Sequence, residues 1–274
     1  MDNQYNLRPA FTLSVIVTIL AVVASVGGLL IPNLYRDNDF VKSAWLTNDI
    51  ITLIIAVPLL SASLFFVRKG SLRWQLVWIG MLGYMAYNFA FYLFGAAFNP
   101  LFLIYAALFS LSGTGLILGL ANLDMNKIGQ QFSLRTPVKV ISIYIMLIAI
   151  MLFFVEIGMI SNYFLTGSLP ETIKLTGHPT SIVFALDLSI VVPVSVVTAI
   201  LLWKRNTWGY VMGMIMLLKG FTYGLVLSIG TALLAYSPAF GKWDPLMPFY
   251  MLLVIGGFIG CWAMLKNLKK FVAQ

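Results

Sequence analysis

One cysteine, one histidine and very few charges occur in this sequence, and each scarcity closes off a set of functions. The single cysteine, Cys261, has no partner within the chain, so no intrachain disulfide forms and the redox compartment stays unreadable. With only His178 beside it, the chain cannot assemble a zinc triad, a bis-histidine haem site or an iron–sulfur cluster. No metal and no cofactor are therefore expected. A Walker loop and a dinucleotide-type glycine fingerprint are both missing, which excludes ATP and nicotinamide binding by those devices. A serine–histidine hydrolase would have to use His178, next to a proline at a helix end, so no catalytic residue is assigned. Asn-x-Ser/Thr acceptors are absent as well.

Charged side chains make up 9% of the 274 residues and apolar ones 61%. A soluble domain carries roughly a quarter charged and under half apolar, so water is not the main solvent of this chain. About 20 mostly apolar residues are needed to cross a bilayer as a helix, and such stretches fill nearly the whole sequence. They run approximately from Ala10 to Pro32, Asp49 to Val67, Trp74 to Gly95, Pro100 to Ala121, Val140 to Ile160, Thr180 to Trp203, Trp208 to Tyr236 and Pro245 to Leu265. Asn99-Pro100, His178-Pro179 and Asp244-Pro245 punctuate the ends. The fold class predicted is an all-α polytopic membrane protein with eight transmembrane helices. The first span has no small-residue cleavage pattern after a short apolar core and is expected to be a retained anchor.

A net charge of +8 would suit a nucleic-acid partner if it were clustered, but it alternates along the chain. With the amino terminus inside, twelve Lys and Arg fall in cytoplasmic segments, four (Arg36, Lys42, Lys174, Lys242) in outer loops, and Lys219 within a span. That is the positive-inside bias. It predicts both termini in the cytoplasm, a multi-pass location in the plasma (inner) membrane, and membrane lipids rather than nucleic acid as surroundings. Trp45 and Trp243 are expected at the outer interface and Trp74, Trp203, Trp208 and Trp262 at the inner one.

The segment Asn122–Lys139 divides the spans four and four, giving a first half over 1–121, a cytoplasmic linker over 122–139 and a second half over 140–274. In each half an outer loop, Asn33–Asn48 or Ser161–Pro179, precedes a second helix with an aspartate and a proline: Asp49 with Pro58, Asp187 with Pro193. The third helices place Tyr87 opposite Tyr223. The fourth carry Gly115-x-x-x-Gly119 and Gly256-x-x-x-Gly260, which more often mark close helix packing than chemistry. A 4+4 parallel internal repeat about an axis along the membrane normal is one reading. Shared apolar composition is the other. Paired prolines are a pointer to a transporter site, although proline is also ordinary in membrane helices.

An ionisable group at the centre of a span costs about 2.5 to 3.5 kcal/mol on insertion scales, and so needs a reason. Glu156, Asp187 and Lys219 are the clear cases. At 1.5 Å of rise per residue the two acids stand about 24 Å above the cytoplasmic ends of their helices and Lys219 about 16 Å. A long lysine side chain can bridge that difference to either acid. Asp49 lies nearer the outer rim. Thr180, Asp187 and Thr198 share one helical stripe, Lys219, Thr222 and Tyr223 another, and Tyr84, Asn88 and Tyr92 a third. The candidate binding residues are Asp187, Lys219, Glu156, Asn88, Tyr223 and Asp49, although Asn88 and its tyrosines also suit helix packing. A buried ion pair that only locks two helices together is the alternative reading of Asp187 and Lys219.

A lysine midway along a seventh helix is similar in place to the Schiff-base lysine of microbial rhodopsins. That resemblance is one residue deep: Ile215 occupies the position one turn earlier where those proteins usually carry aspartate, and the eighth span departs from their pattern. The function favoured is a secondary transporter or carrier of a small solute or ion. A membrane enzyme acting on a lipid or isoprenoid, and a non-catalytic partner or sensor, remain as alternatives. The Ser161–Pro179 loop is either a lid over an outward cavity or a plain connector.

Overall fold

Proline placement explains the most unusual feature of the backbone. Two of the long helices contain a five-residue π-helical turn, Thr52–Ala56 and Asp187–Val191, and each turn is followed by Val-Pro. Proline lacks an N–H and its ring crowds the carbonyl four residues back, so the hydrogen-bond ladder widens just upstream. In both helices the valine before the proline donates its N–H to the first residue of the turn, Val57 to Thr52 and Val192 to Asp187.

The computed structural model describes residues 7–236, 241 and 243–269. Lys242 and Lys270, which enter the charge asymmetry, lie outside them. Eight helices are long and apolar enough to cross a membrane, which makes this a multi-spanning membrane protein. They are α1 (Arg8–Leu30), α2 (Asp39–Arg68), α3 (Leu72–Gly95) and α4 (Phe102–Ala121), then α6 (Val138–Thr166), α8 (Ile182–Trp203), α9 (Thr207–Ala235) and α10 (Met247–Lys266). Two short helices connect them, α5 (Met125–Gln131) and α7 (Glu171–Thr176).

The spans match the hydropathy reading closely, with two exceptions at the end that carries α7. The second helix starts at Asp39, about three turns before the expected Asp49. Asn38 caps it by accepting from the Val41 N–H at 3.0 Å, and Asp39 sits in the first turn, where the helix dipole favours an acid. The expected Asn33–Asn48 loop is therefore mostly helix. Trp45 is carried on this helix and is buried against Tyr35 and Tyr92. The fifth span likewise runs on to Thr166 and ends on Gly167, whose left-handed φ of 70° closes the helix.

The least apolar spans, α3 and α9, are the most buried. They pack on each other at the centre, where Gly80 lets α3 approach the Met214 carbonyl and the Leu218 side chain. The other six spans turn side chains such as Ile19, Leu103, Ile117, Phe154 and Ile259 outward, as a lipid-facing surface requires. Around the centre, α2 and α4 flank α3, while α8 and α10 flank α9. The two sides differ in one respect. Helix α1 packs along α4, whereas α6 leans on α8 and scarcely meets α10.

Both ends of the bundle are tied. At one, the 122–139 segment is ordered: Phe132 stacks on Tyr210 at 3.9 Å and Arg205 donates to the Leu134 carbonyl at 2.9 Å. Arg73 donates to the Leu268 carbonyl at 2.9 Å. At the other, Asp37 accepts from the Ala97 N–H at 3.1 Å and from the Trp45 indole at 3.2 Å, and meets the His178 ring at 3.3 Å. Asn38 donates to the carbonyls of Leu175 and Thr176, both at 2.9 Å.

Candidate functional site

The gap between α6 and α10 is occupied by a cavity of about 330 Å³. Tyr144 of α6 lies toward the end of this gap nearer the 122–139 segment, where its hydroxyl reaches the Leu252 and Leu253 carbonyls of α10, each at 3.3 Å. Gly256 makes that contact feasible, because a Cβ there would collide with the Tyr144 ring. Farther along, Ile148, Leu152 and Val155 of α6 face Phe249 and Tyr250 of α10 across the space. Thr172, Thr176 and His178 of the 161–179 segment line one end of it. Asn38 and Asp37 hold that segment there from the first half of the chain.

Four charged side chains line the cavity: Asp244, just before α10, accepts from the Tyr250 hydroxyl at 3.1 Å, and the other three stand on three different helices. Asp187, on α8, begins the π turn; Lys219 comes from α9 and Glu156 from α6. Lys219 Nζ is 3.7 Å from Asp187 Oδ1. It also lies over two tyrosine rings, 4.0 Å from the centroid of Tyr87 and 4.9 Å from that of Tyr223. The Tyr87 hydroxyl donates to the same Asp187 oxygen at 2.6 Å, and the Tyr87 and Tyr223 rings meet edge to face at 5.4 Å. The pair is thus held by a charge-assisted hydrogen bond and by cation–π contact. Glu156 is different. It is 3% exposed, and its Oε2 has no hydrogen-bond partner. A buried carboxyl oxygen without a partner costs free energy, and Glu156 is one of the residues lining the cavity.

Of the residues expected at a site, Asp187, Lys219, Glu156 and Tyr223 come together in this wall. Asn88 touches the cavity only through Asn48, which lines it and donates to Asn88 Oδ1 at 2.7 Å. The Tyr84, Asn88 and Tyr92 stripe is real, but it faces α2. Thr180 and Asp187 line the cavity while Thr198 does not, since the π turn shifts the helical register between them.

Asp49 forms a second buried cluster, apart from the cavity. It accepts from the Tyr35 hydroxyl at 2.6 Å and from Tyr92 at 2.9 Å. Burial first, and then the Asp49 charge, push the Tyr35 phenol well above its ordinary range, so it remains a donor. Gly28 leaves the space for this pair, since a Cβ there would overlap both the carboxylate and the phenol. Aligning the two π turns places Asp187 opposite Thr52 and Asp49 opposite Phe184, so the two aspartates occupy different helical positions.

Sequence reasoning marked Tyr87 only as a counterpart of Tyr223. Its bond to Asp187 joins residues 100 positions apart and leaves no local signal. The sequence pattern places Asn48 and Tyr35 in an outer loop; Tyr35 does lie before α2, whereas Asn48 stands on it. No group of three His, Cys, Asp or Glu suited to a metal ion occurs among the described residues. Comparison of the chain with protein-family models, with curated proteins and with solved structures finds no match.

Proposed function

We propose that this protein is a secondary transporter or carrier of a small solute or ion, with the α6–α10 cavity as its binding site. The observation that carries this reading is Glu156: a buried carboxyl in the cavity wall whose Oε2 has no hydrogen-bond partner, beside an ion pair that is already satisfied. A pair that served assembly alone would need no third charge next to it. A change of protonation at Glu156, with Asp187 and Lys219 fixing the local field, supplies a coupling element. The paired π turns ahead of Pro58 and Pro193 support a 4+4 repeat, as does the meeting of Tyr87 and Tyr223 at the α3–α9 contact. Internal repeats with interrupted helices at the site are common in transporters.

The membrane placement follows from charge. Arg73 and Arg205 lie at the end bearing α5, as expected of a cytoplasmic face, with both termini inside and the plasma membrane as location. The deciding experiment uses purified protein in liposomes under an imposed pH gradient. Wild type should move a solute or protons, and Asp187→Asn and Lys219→Met should abolish that movement while remaining monodisperse. Unchanged behaviour in both variants would remove the proposal. A lipid-processing enzyme is favoured over it if lipid extracts from cells lacking the gene differ from wild type and no flux is found.

A further inference from the structure

The chemistry of the cavity wall narrows the ligand. Lys219 and Asp187 cancel each other at 3.7 Å, and the Tyr87 hydroxyl completes the Asp187 oxygen. Glu156 and Asp244 also line the space, Glu156 with Oε2 unpartnered and Asp244 accepting from the Tyr250 hydroxyl at 3.1 Å, so carboxyl groups outnumber basic side chains in the wall. An anion would meet a lysine already paired and a carboxylate that repels it. A calcium-like cation fares no better. Calcium-like ions take about six to eight oxygen ligands, and among the described residues no three His, Cys, Asp or Glu side chains gather to hold one. Most of the remaining lining is aliphatic or aromatic, with Phe91, Tyr223, Phe249 and Tyr250 among the rings. Aromatic faces attract an organic ammonium and tolerate an apolar body, and a volume of about 330 Å³ fits a ligand at the small end of the usual pocket range, roughly 300 to 1,000 Å³.

We propose that the ligand is a small lipophilic organic monocation, an ammonium on an apolar body, whose charge docks on Glu156 and whose body lies against the aromatic rings of the wall. This rests on the carrier reading for the cavity being a substrate site. The α6–α10 gap leads such a ligand in from the side, since those helices scarcely meet while α7 is fastened at the end.

The test is calorimetric binding to the purified full-length protein in nanodiscs, corrected for empty discs, with three probes of similar shape. These are benzyltrimethylammonium, its neutral isostere neopentylbenzene, and phenylacetate as the anion. The cation should bind at least about tenfold more tightly than either of the others, a margin of about 1.4 kcal/mol. Glu156→Gln should lose at least that factor and Glu156→Asp should retain most of the binding. Equal binding of cation and isostere, tighter binding of the anion, no binding of the cation, or a monodisperse Glu156→Gln with unchanged affinity would each overturn the inference. Should Glu156→Gln not fold, the three-probe comparison on wild type decides alone. Liposome flux separates this from the carrier reading. A cation that binds but is never moved removes the carrier reading and leaves the site. Coupled movement of another solute with the cation ignored removes the site and leaves the carrier.

Discussion

Lys219 and Asp187 meet 3.7 Å apart across the α8–α9 contact, and Tyr87 engages both, giving its ring to the ammonium and its hydroxyl to the carboxylate. One side chain from the central helix α3 thereby fixes an ion pair between two other helices.

Breaking the pair from one side should therefore be worse than removing it. Asp187→Asn leaves a buried lysine without its bonded carboxylate, and Lys219→Met leaves a buried carboxylate with Tyr87. Each is expected to cost about 3 to 5 kcal/mol. The double variant should recover a good part of that loss. Thermal unfolding of the four proteins in one detergent measures the coupling, and strict additivity would show that the pair is not energetically linked.

Tyr87→Phe separates the two jobs of that side chain. The ring over Lys219 is kept while the hydrogen bond at 2.6 Å to Asp187 is lost. A bond to a charged group contributes about 1.5 to 3 kcal/mol, so unfolding should shift by that amount. Tyr223→Phe, whose ring also faces Lys219, should cost less, because no hydrogen bond of its hydroxyl to Asp187 exists to be lost.

The two glycines Gly28 and Gly113 should respond oppositely to alanine. At Gly28 the added methyl overlaps Asp49 and Tyr35, so loss of about 1 to 3 kcal/mol is expected. At Gly113 nothing lies within 4 Å, and alanine should be neutral or stabilising by up to about 1 kcal/mol. Parallel melts of Gly28→Ala and Gly113→Ala check the contrast.

The 161–179 segment at the cavity end is fastened by few bonds, so it should loosen without unfolding the spans. Asn38→Ala combined with His178→Ala removes the two 2.9 Å bonds to Leu175 and Thr176 and the contact with Asp37. At about 0.5 to 1.5 kcal/mol for each bond, amide exchange over Glu171–Thr176 should accelerate about tenfold or more. Exchange in α3 and α9 should not change.

Reporter fusions address the orientation. A cytoplasm-active fluorescent protein should be bright at both the amino and the carboxyl end, and an export-dependent enzyme should be active when inserted after Gly167. Opposite readings at the two ends would mean an odd number of crossings.

The number and approximate limits of the spans were legible because they depend on a property summed along the chain. About 20 apolar residues must cross the hydrocarbon whatever they pack against. Charge alternation, the rarity of His and Cys, and the isolation of Glu156, Asp187 and Lys219 in apolar surroundings are equally one-dimensional facts. They determined a multi-span helical protein with three costly charges that had to be accounted for. Tertiary structure decided which of them meet. Whether Lys219 pairs with Asp187 or Glu156 depends on how α6, α8 and α9 lean, and on a π turn that re-registers Asp187. Whether a space exists at all depends on α6 standing off α10 while α1 closes on α4. Those are outcomes of side-chain packing between distant segments, and no local pattern carries them. Asn38 illustrates the limit at a single residue: its sequence neighbourhood suggests a loop, yet its side chain starts one helix and holds the end of another 137 residues away.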